Sequence, residues 1–537
     1  MIAAATLIAL ATLLSAFHAW RRHRYYLHVL QLEGYKDNEY SAWLRRQPLS
    51  TILLRRYLVA AGVVILVWMK PVAPDWVVLA GLGVWCLVFA SARRYRTDHA
   101  KKPLVYTARL KRLLGTDVLI AVMLVVAGSV AALSESEVAW YLLGWLAADM
   151  LAPRTTGLSG LLMRPIETKI HEAFKQRARD RLAAQRDTTV IGITGSYGKT
   201  SVKFAIAEVL RQQYNVLETP GSYNTPMGIC KVINDDLEDW HQFLVLEMGA
   251  RYRGDIKELC EIARPDAAVL TSIGLAHLET MGSEEAILET KGELIAGMKH
   301  GGPLVANADD PKVMQLVGRA SGPVTLVSTH RSDVDLLATD ISYDTGGCHF
   351  QVIDLNGEEA EMSSMLLGRH NVTNVLLALG VGRFYGMSLR QMRHAVQRLK
   401  PVPHRLELRK EGPVTIIDDA FNSNPIGARN AIEILSQFET GKRIVITPGM
   451  IELGERQDAE NRAFGAHMNG RVDEAILVGQ RQTRPIFEGL VGAGFEESRI
   501  RIVDSLLEAQ RVLKDMLRPG DVVLYENDLP DQYDERT

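Results

Sequence analysis

Cysteine is scarce in this chain: there are four in 537 residues, Cys86, Cys230, Cys260 and Cys348, and no two form a Cys-x-x-Cys pair. This leaves no disulfide framework and no zinc ribbon to build, and it fits a reducing compartment. An excess of either charge is missing too. The 61 Lys and Arg stand against 63 Asp and Glu, a formal charge of −2. The chain therefore lacks the basic surplus of a nucleic-acid binder, and no nucleic-acid partner is expected. Also absent is the polar surplus of most soluble enzymes. The mean hydropathy is zero, so apolar residues must be concentrated in one region. The length rules out a single small module, because about 150 residues per domain gives roughly three to four units.

The apolar region is the first 152 residues. Apolar segments at 2–20, 57–69, 76–92, 118–133 and 138–152 predict about five transmembrane helices, although several fall short of the ~20 residues that span a bilayer core. The first could be a signal peptide, but no charged stretch precedes it and further spans follow, so it reads as retained. Residues 70–75 and 134–137 make tight hairpins. Arg21, Arg22, Arg24, Lys36, Arg45, Arg46, Arg55 and Arg56 lie between the first and second segments. Arg93, Arg94, Arg96, Lys101, Lys102, Arg109, Lys111 and Arg112 lie between the third and fourth, while the hairpin tips hold only Lys70. Cations flanking spans stay on the cytoplasmic side, so the amino terminus is expected outside and everything after the fifth span inside. The sequence thus predicts a multi-pass protein of the cell (inner or plasma) membrane. Its partner is the bilayer, with a membrane region over 1–160 and a charged linker over 161–187. Residues 164–187 form an amphipathic helix suited either to anionic headgroups or to plain solvent. Buried helices of a soluble domain are the alternative. Polar residues inside the spans are few beyond His18 and Asp149, which argues against a nucleotide-driven transport component.

From Thr188 short β-rich runs alternate with helical ones, predicting an α/β fold with a mostly parallel sheet. Residues 188–193 are a buried-strand candidate that runs into Thr194-Gly195-Ser196-Tyr197-Gly198-Lys199-Thr200-Ser201 and then a helix. These are the parts of a phosphate cradle. Gly195, Ser196, Gly198 and Ser201 belong to a loop whose backbone N–H groups face an anion at a helix N-terminus, Lys199 reaches the β- and γ-phosphates, and Thr200 can ligate Mg²⁺. The spacing departs from the usual Walker form, since Ile193 stands where its first glycine would be.

Thr-Gly-x-x-Gly-Lys-Thr closing a strand resembles the Mur ligase family, and further segments resemble that family in order. They are Gly221-Ser222-Tyr223-Asn224-Thr225-Pro226-Met227-Gly228, Leu246-Glu247-Met248-Gly249, Ala276-His277-Leu278-Glu279, Lys291-Gly292-Glu293 and Asn307-Ala308-Asp309-Asp310. Gly368-Arg369-His370-Asn371-Val372-Thr373-Asn374 and Asp418-Asp419-Ala420-Phe421-Asn422-Ser423-Asn424-Pro425 complete the set. The resemblance spans about 188–525 and is nearest to the branch that adds D-alanyl-D-alanine. It implies a parallel-sheet P-loop ATPase domain over 188–400 and a smaller Rossmann-like α/β C-terminal domain over 401–537. The hinge would lie near Pro401-Val402-Pro403-His404, where two prolines resist helix.

The resemblance also implies roles. ATP is the cofactor, with two Mg²⁺ ions: Glu247 and Thr200 hold the first and His277 helps hold the second. Lys291 matches the position where the family carries a carbamoylated, metal-binding lysine. Asn307 approaches the adenine; His370, Asn371 and Asn374 lie near the nucleotide and the domain interface. Arg405 swings onto the phosphates, Asp419 orients ribose or metal-bound groups, Asn224 and Thr225 sit on the substrate side, and Asn422 and Asn424 face the incoming amine. Lys199, His277, Lys291 and Arg405 form the catalytic set. Each residue has an ordinary alternative: an N-capping or exposed Glu247, a core His277, a surface Lys291, a turn at Asn307, an Asn371 helix cap, a surface ion pair at Arg405, and Asx turns at Asn422 and Asn424.

Two departures stand out. The family's N-terminal domain, which grips the UDP part of its substrate, is replaced by the apolar region. The family's basic Lys-Gly-Ser-Arg-like segment is replaced by Tyr525-Glu526-Asn527-Asp528-Leu529-Pro530-Asp531-Gln532-Tyr533, so a basic substrate contact has become acidic. The expectation is a membrane-anchored, ATP-dependent amide ligase of peptidoglycan-like precursor synthesis. It would activate a carboxylate as an acyl phosphate and join it to an amino acid or peptide amine. The carboxylate acceptor would be lipid-linked or envelope-bound, unless the anchor serves a partner enzyme of envelope synthesis or a homo-oligomer. A poly-γ-glutamate-like polymer synthetase is the runner-up.

Overall fold

The computed structural model describes residues 2–48, 56–69, 74–90, 103–135, 137–274, 278–344, 346–401, 404–420, 423–451 and 453–527. The chain forms two compact units, Met1–Glu172 and Ala173–Thr537.

The first unit is helical. The described residues of all five apolar segments are largely helical, in Ile2–Leu32, Arg56–Trp68, Asp75–Ala90, Ala108–Ser134 and Val138–Met150, with residues 91 and 92 of the third outside the described residues, and Asp37–Arg46 adds a short amphipathic helix. Among the described residues only Ile2–Leu32 and Ala108–Ser134 are long and apolar enough to cross a membrane; the other three have 13, 16 and 13 described residues. On Ala108–Ser134 the side chains of Leu119, Val122, Met123, Val126, Val130 and Leu133 all face outward, an apolar surface that water disfavours. The backbones of Ala108–Ser134 and Val138–Met150 touch, because a Cβ on Gly128 would stand 2.5 Å from the Trp140 carbonyl and 2.9 Å from Gly144 Cα.

The expected near-absence of polar groups in the spans needs correction. The first helix does not stop at Trp20 but continues to Leu32, and its periodicity carries Arg22 and His23 onto the buried face. His18 Nδ1 lies 2.6 Å from Asp149 Oδ1, Tyr57 donates to Asp149 Oδ2, and Arg22 Nη1 stands 3.6 Å from that oxygen. His23 Nδ1 lies 2.8 Å from Asp117 Oδ2, which also accepts from Thr156 at 3.0 Å. Buried charge is tolerated here because it is paired. The helix Ala152–Ala184 runs without a break through residue 160, with Pro165 inside it.

The second unit holds two sheets. The strands of the first are β1 (Thr189–Thr194), β2 (Val216–Glu218), β3 (Phe243–Glu247), β4 (Ala267–Leu270), β5 (Leu304–Asn307), β6 (Val324–Ser328), β7 (Leu336–Asp344), β8 (Gly347–Asp354) and β9 (Glu359–Ser364). Their order is β2-β3-β1-β4-β5-β6-β7-β8-β9, parallel from β2 to β7 and antiparallel across β7, β8 and β9. Short β-branched runs such as Thr189–Thr194 are buried because helices cover both faces, as parallel sheets require. The second sheet contains β10 (Glu407–Glu411), β11 (Val414–Asp419), β12 (Arg443–Thr447), β13 (Glu474–Val478), β14 (Ile500–Val503) and β15 (Val522–Glu526). Its order is β10-β11-β15-β12-β13-β14, with only β10 antiparallel. This is the expected α/β architecture, a helical region followed by two parallel-sheet modules. In open sheets of this kind ligands bind beyond the carboxyl ends of the strands, where the connections diverge. On the first sheet that place is the end of β1, between β3 and β4.

Candidate active site

The loop leaving β1 enters the helix Lys199–Leu210 at Gly198, whose φ of +81° is left-handed and favours glycine. A Cβ on Gly198 would stand 2.6 Å from Asn374 Oδ1, and one on Gly195 would stand 1.9 Å from Thr271 Oγ1. Ser196 pins the loop to the segment after β4, its N–H donating to the Ser272 carbonyl at 2.6 Å and its hydroxyl to the Gly274 carbonyl at 3.1 Å. Lys199 Nζ donates to the carbonyls of Gly195 (2.8 Å) and Ser196 (3.1 Å). Burial holds this ammonium below the usual lysine range; Glu247 opposes the shift and Arg405 adds to it. Ser201 follows in the first turn of the helix.

Glu247 ends β3 and is buried, neither a helix cap nor a solvated acid. Its Oε2 accepts from Thr200 Oγ1 at 2.8 Å and its Oε1 from Asn224 Nδ2 at 2.9 Å. Lys203 Nζ stands 3.8 Å from Oε2, is wholly buried, and also donates to the Gly221 carbonyl. The sequence reading missed Lys203, although it lies one turn beyond Lys199 on the same helix face, and that spacing was the available signal. Thr225 caps the helix Pro226–Asp235, its hydroxyl accepting from the Gly228 N–H at 3.3 Å.

Lys291 is no surface lysine: on the helix Glu284–Gly297 it is 3% exposed. Burial drives its pKa down to about 7, with Lys199 adding to the effect and Asp255 and Glu293 opposing it. His277 lies outside the described residues. Among the described residues no three His, Cys, Asp or Glu side chains gather as a metal site. The Glu247 carboxylate and the Thr200 hydroxyl, hard oxygen donors 2.8 Å apart, nevertheless fit Mg²⁺, which binds one or two protein oxygens and completes its shell with phosphate and water.

Asn307 ends β5 and turns its Oδ1 onto the Asp309 N–H at 3.0 Å, the ordinary turn reading. The cap of the helix Arg369–Phe384 is Gly368, so Asn371 lies inside that helix and does not cap it. Instead Asn371 Nδ2 donates to the Leu367 carbonyl at 2.7 Å and Asn374 Nδ2 donates to Asn371 Oδ1 at 3.1 Å. The Asn374 side chain also packs closely against Gly198 of the loop. His370, in the first turn of the same helix, is exposed.

On the second sheet Arg405 is within electrostatic reach of both Lys199 and Asp419. Asp419 accepts from the Leu406 N–H at 3.1 Å, and burial raises its carboxyl to about 6 against the pull of that bond and of Arg405. Asn424 caps the helix Pro425–Ser436, accepting from the N–H groups of Ile426 (3.2 Å) and Gly427 (3.0 Å), which is its ordinary turn role. Asn422 lies outside the described residues. The structure thus gathers Gly195, Ser196, Gly198, Lys199, Thr200, Asn224, Glu247, Lys291, Asn374, Arg405 and Asp419. Thr225, Asn307 and Asn424 spend their side chains on local backbone.

The Mur ligase middle domain matches residues 193–382, and the Mur ligase glutamate ligase domain matches 404–525. The chain is 32% identical over 342 residues to the UDP-N-acetylmuramoyl-tripeptide–D-alanyl-D-alanine ligase of Bacillus subtilis (strain 168), covering 63% of this chain and 73% of that one. With the ligase of the same name from Mycobacterium tuberculosis (strain H37Rv) it shares 35% over 358 residues, 63% of this chain and 69% of the other. The crystal structure of MurF ligase from Thermotoga maritima in complex with ADP superposes with a TM-score of 0.59 at 29% identity, over 67% of this chain and 80% of that one. The chain therefore belongs to the Mur ligase family of ATP-dependent amide ligases.

Proposed function

We propose that this ligase works at the cytoplasmic face of a membrane. Its helical region, residues 1–160, anchors it; residues 161–187 lead out of the bilayer, residues 188–400 bind ATP and residues 401–537 close over the site. In this reading Lys199 and the backbone of Gly195, Ser196, Gly198 and Ser201 hold the triphosphate of ATP, and Thr200 and Glu247 hold Mg²⁺. His277 and a carbamoylated Lys291 serve a second ion. Bound Mg²⁺ would lessen the repulsion between the γ-phosphate and an approaching carboxylate. The chain's own cations do the rest: Lys199 and Arg405 flank the phosphates and hold them in line for attack by the carboxylate oxygen. The acyl phosphate so formed is attacked by an amine entering from the side of the second sheet, with loss of phosphate. Asn307, His370, Asn371 and Asn374 belong to the nucleotide side, Asp419 to the ribose or the groups around the metal. Asn224 serves the carboxylate substrate and Asn422 the amine, while Thr225 and Asn424 act on those two sides through the helices they cap.

The observation that carries this reading is the contact of Thr200 with Glu247 beside Lys199, a hydroxyl, a carboxylate and an ammonium brought from two strand ends to one point. By analogy with the names of its relatives, the reaction belongs to peptidoglycan-type precursor synthesis, with a muramoyl-peptide-like carboxylate and a D-alanyl-D-alanine-like amine. The family models match 193–382 and 404–525 and the elements described before β1 are helices, and a lipid-linked carboxylate suits such an anchor. The experiment is a screen for ADP release that depends on both an amine and a carboxylate, repeated with Lys199→Ala. Release that needs both substrates and vanishes in the variant supports the reading, and ATP hydrolysis indifferent to both overturns it.

A further inference from the structure

The first unit holds a cavity of about 590 Å³ where four helices approach one another: the end of Ile2–Leu32, the start of Asp37–Arg46, the first turns of Ala108–Ser134 and the middle of Ala152–Ala184. That volume suits a small ligand. Leu30 and Leu113 give it an apolar wall, and its charged wall sets Lys36, Arg109, Arg164 and His171 against Asp37 and Glu167. Glu167 is buried and already satisfied, because Arg112 grips it with two hydrogen bonds, Nε to Oε1 at 2.7 Å and Nη2 to Oε2 at 2.9 Å. Arg109 is a second guanidinium beside the same carboxylate. Its Nε stands 3.8 Å from Glu167 Oε2, too far for a hydrogen bond, and is buried with no hydrogen-bond partner among the described residues. The group is held over the Tyr35 ring, 4.4 Å from its centre. Arg109 thus brings to the cavity wall a positive charge that no hydrogen-bonded carboxylate takes up. The cavity also lies at a boundary. Arg109 and Arg112 stand in the first two turns of Ala108–Ser134, which carries no charge from Val118 to its end. In the membrane reading this end of the helix, the end of Ile2–Leu32 and everything after Val138–Met150 belong to the cytoplasmic side, where basic pockets between helices take lipid head groups.

We propose that this cavity binds the phosphate of an anionic membrane lipid, held by the guanidinium groups of Arg109 and Arg164 with Lys36 beside them. A guanidinium suits phosphate because its planar fork matches two oxygens at once. A phosphate on a soluble molecule offers the same chemistry, but the apolar wall of Leu30 and Leu113 and the uncharged helix that continues from Arg112 favour one that carries acyl chains. The site belongs to the first unit and the ATP-binding loop to the second, so lipid binding is a function of the helical region in its own right. The proposal rests on the membrane reading above and not on the ligase chemistry.

The test uses the full chain purified in a neutral detergent and has two arms. In the first the protein is mixed with lipid vesicles and floated; protein that floats with no vesicle composition overturns the membrane reading and this proposal with it. In the second it is titrated with phosphatidylglycerol, phosphatidylcholine and sn-glycerol 3-phosphate, and bound ligand is read by native mass spectrometry. The wild-type protein is expected to bind phosphatidylglycerol roughly tenfold or more tightly than either of the others. Arg109→Gln and Arg164→Gln should each remove most of that preference, and Lys111→Gln, which removes an exposed cation outside the cavity, should keep it. Arg112 still pairs with Glu167 in Arg109→Gln, so that variant leaves no carboxylate stranded. A wild-type protein that floats but shows no preference for phosphatidylglycerol overturns the proposal whether or not the variants fold. So does a preference that survives in Arg109→Gln or falls as far in Lys111→Gln. Binding of sn-glycerol 3-phosphate as tight as that of the lipid would assign the cavity to a soluble phosphate instead.

Discussion

Thr200 Oγ1 donates to Glu247 Oε2 across 2.8 Å, tying the residue after the loop lysine to the carboxyl end of the neighbouring strand. If these two oxygens hold Mg²⁺, Glu247→Gln should lower the rate of ADP release by roughly a hundredfold, the loss of several kcal/mol of charge stabilisation. Thr200→Val should cost less, about tenfold, and both should raise the Mg²⁺ concentration needed for half-maximal rate. A Glu247→Gln protein with an unaltered Mg²⁺ titration would show that the carboxylate serves only the fold.

Among the described residues Lys203 is the cation that pairs with Glu247, and both are buried. Removing one partner of such a pair leaves an uncompensated charge and typically costs about 3–5 kcal/mol. Lys203→Met is expected to lower the melting temperature clearly, and adding Glu247→Gln to it should recover part of the loss. Strict additivity of the two substitutions in thermal melts would mean that the side chains do not interact.

Because Lys291 is pushed down to about 7, its neutral amine, the form that reacts with CO₂, becomes abundant as pH rises through 7 rather than near 10.5. Uptake of ¹³CO₂ into a carbamate, followed by ¹³C NMR, should therefore climb between about pH 6 and 8 and be absent in Lys291→Met. A label that appears only at the pH of an ordinary lysine would argue against this site.

The predicted topology places Asn38 in the cytoplasm and Glu135, at a hairpin tip, outside. The native cysteines are all buried, so single cysteines introduced at these two positions report cleanly. In intact cells an impermeant thiol reagent should label Glu135→Cys and spare Asn38→Cys until the membrane is broken. The opposite pattern would invert the orientation, and labelling of both in intact cells would remove the membrane reading.

Much of this molecule was legible before the structure because its signals are local. The strand Thr189–Thr194, the glycine loop at Gly195 and Gly198 that leads into a helix, and the strand-ending Glu247 each follow from residue type and spacing within a few positions. What was not legible depends on partners distant in the chain. His18 and Asp149 looked like isolated polar residues, yet they contact each other, because helix periodicity and packing rather than sequence neighbourhood decide what meets. For Asn371 a helix cap was the alternative to a place near the nucleotide, and Gly368 proves to hold the cap; Asn424 spends its side chain on the cap that its turn context suggested. Lys203 went unseen because its one local signal, the spacing of a single turn from Lys199, does not say that a carboxylate from β3 will arrive beside it.

At Gly128, packed against Gly144, there is no room for even one added methyl group. An alanine there would act as a wedge in the helical region while leaving every catalytic side chain untouched. If that region anchors the enzyme beside its substrate, such a variant, assayed in detergent and in native bilayers, separates what bond formation needs from what placement needs.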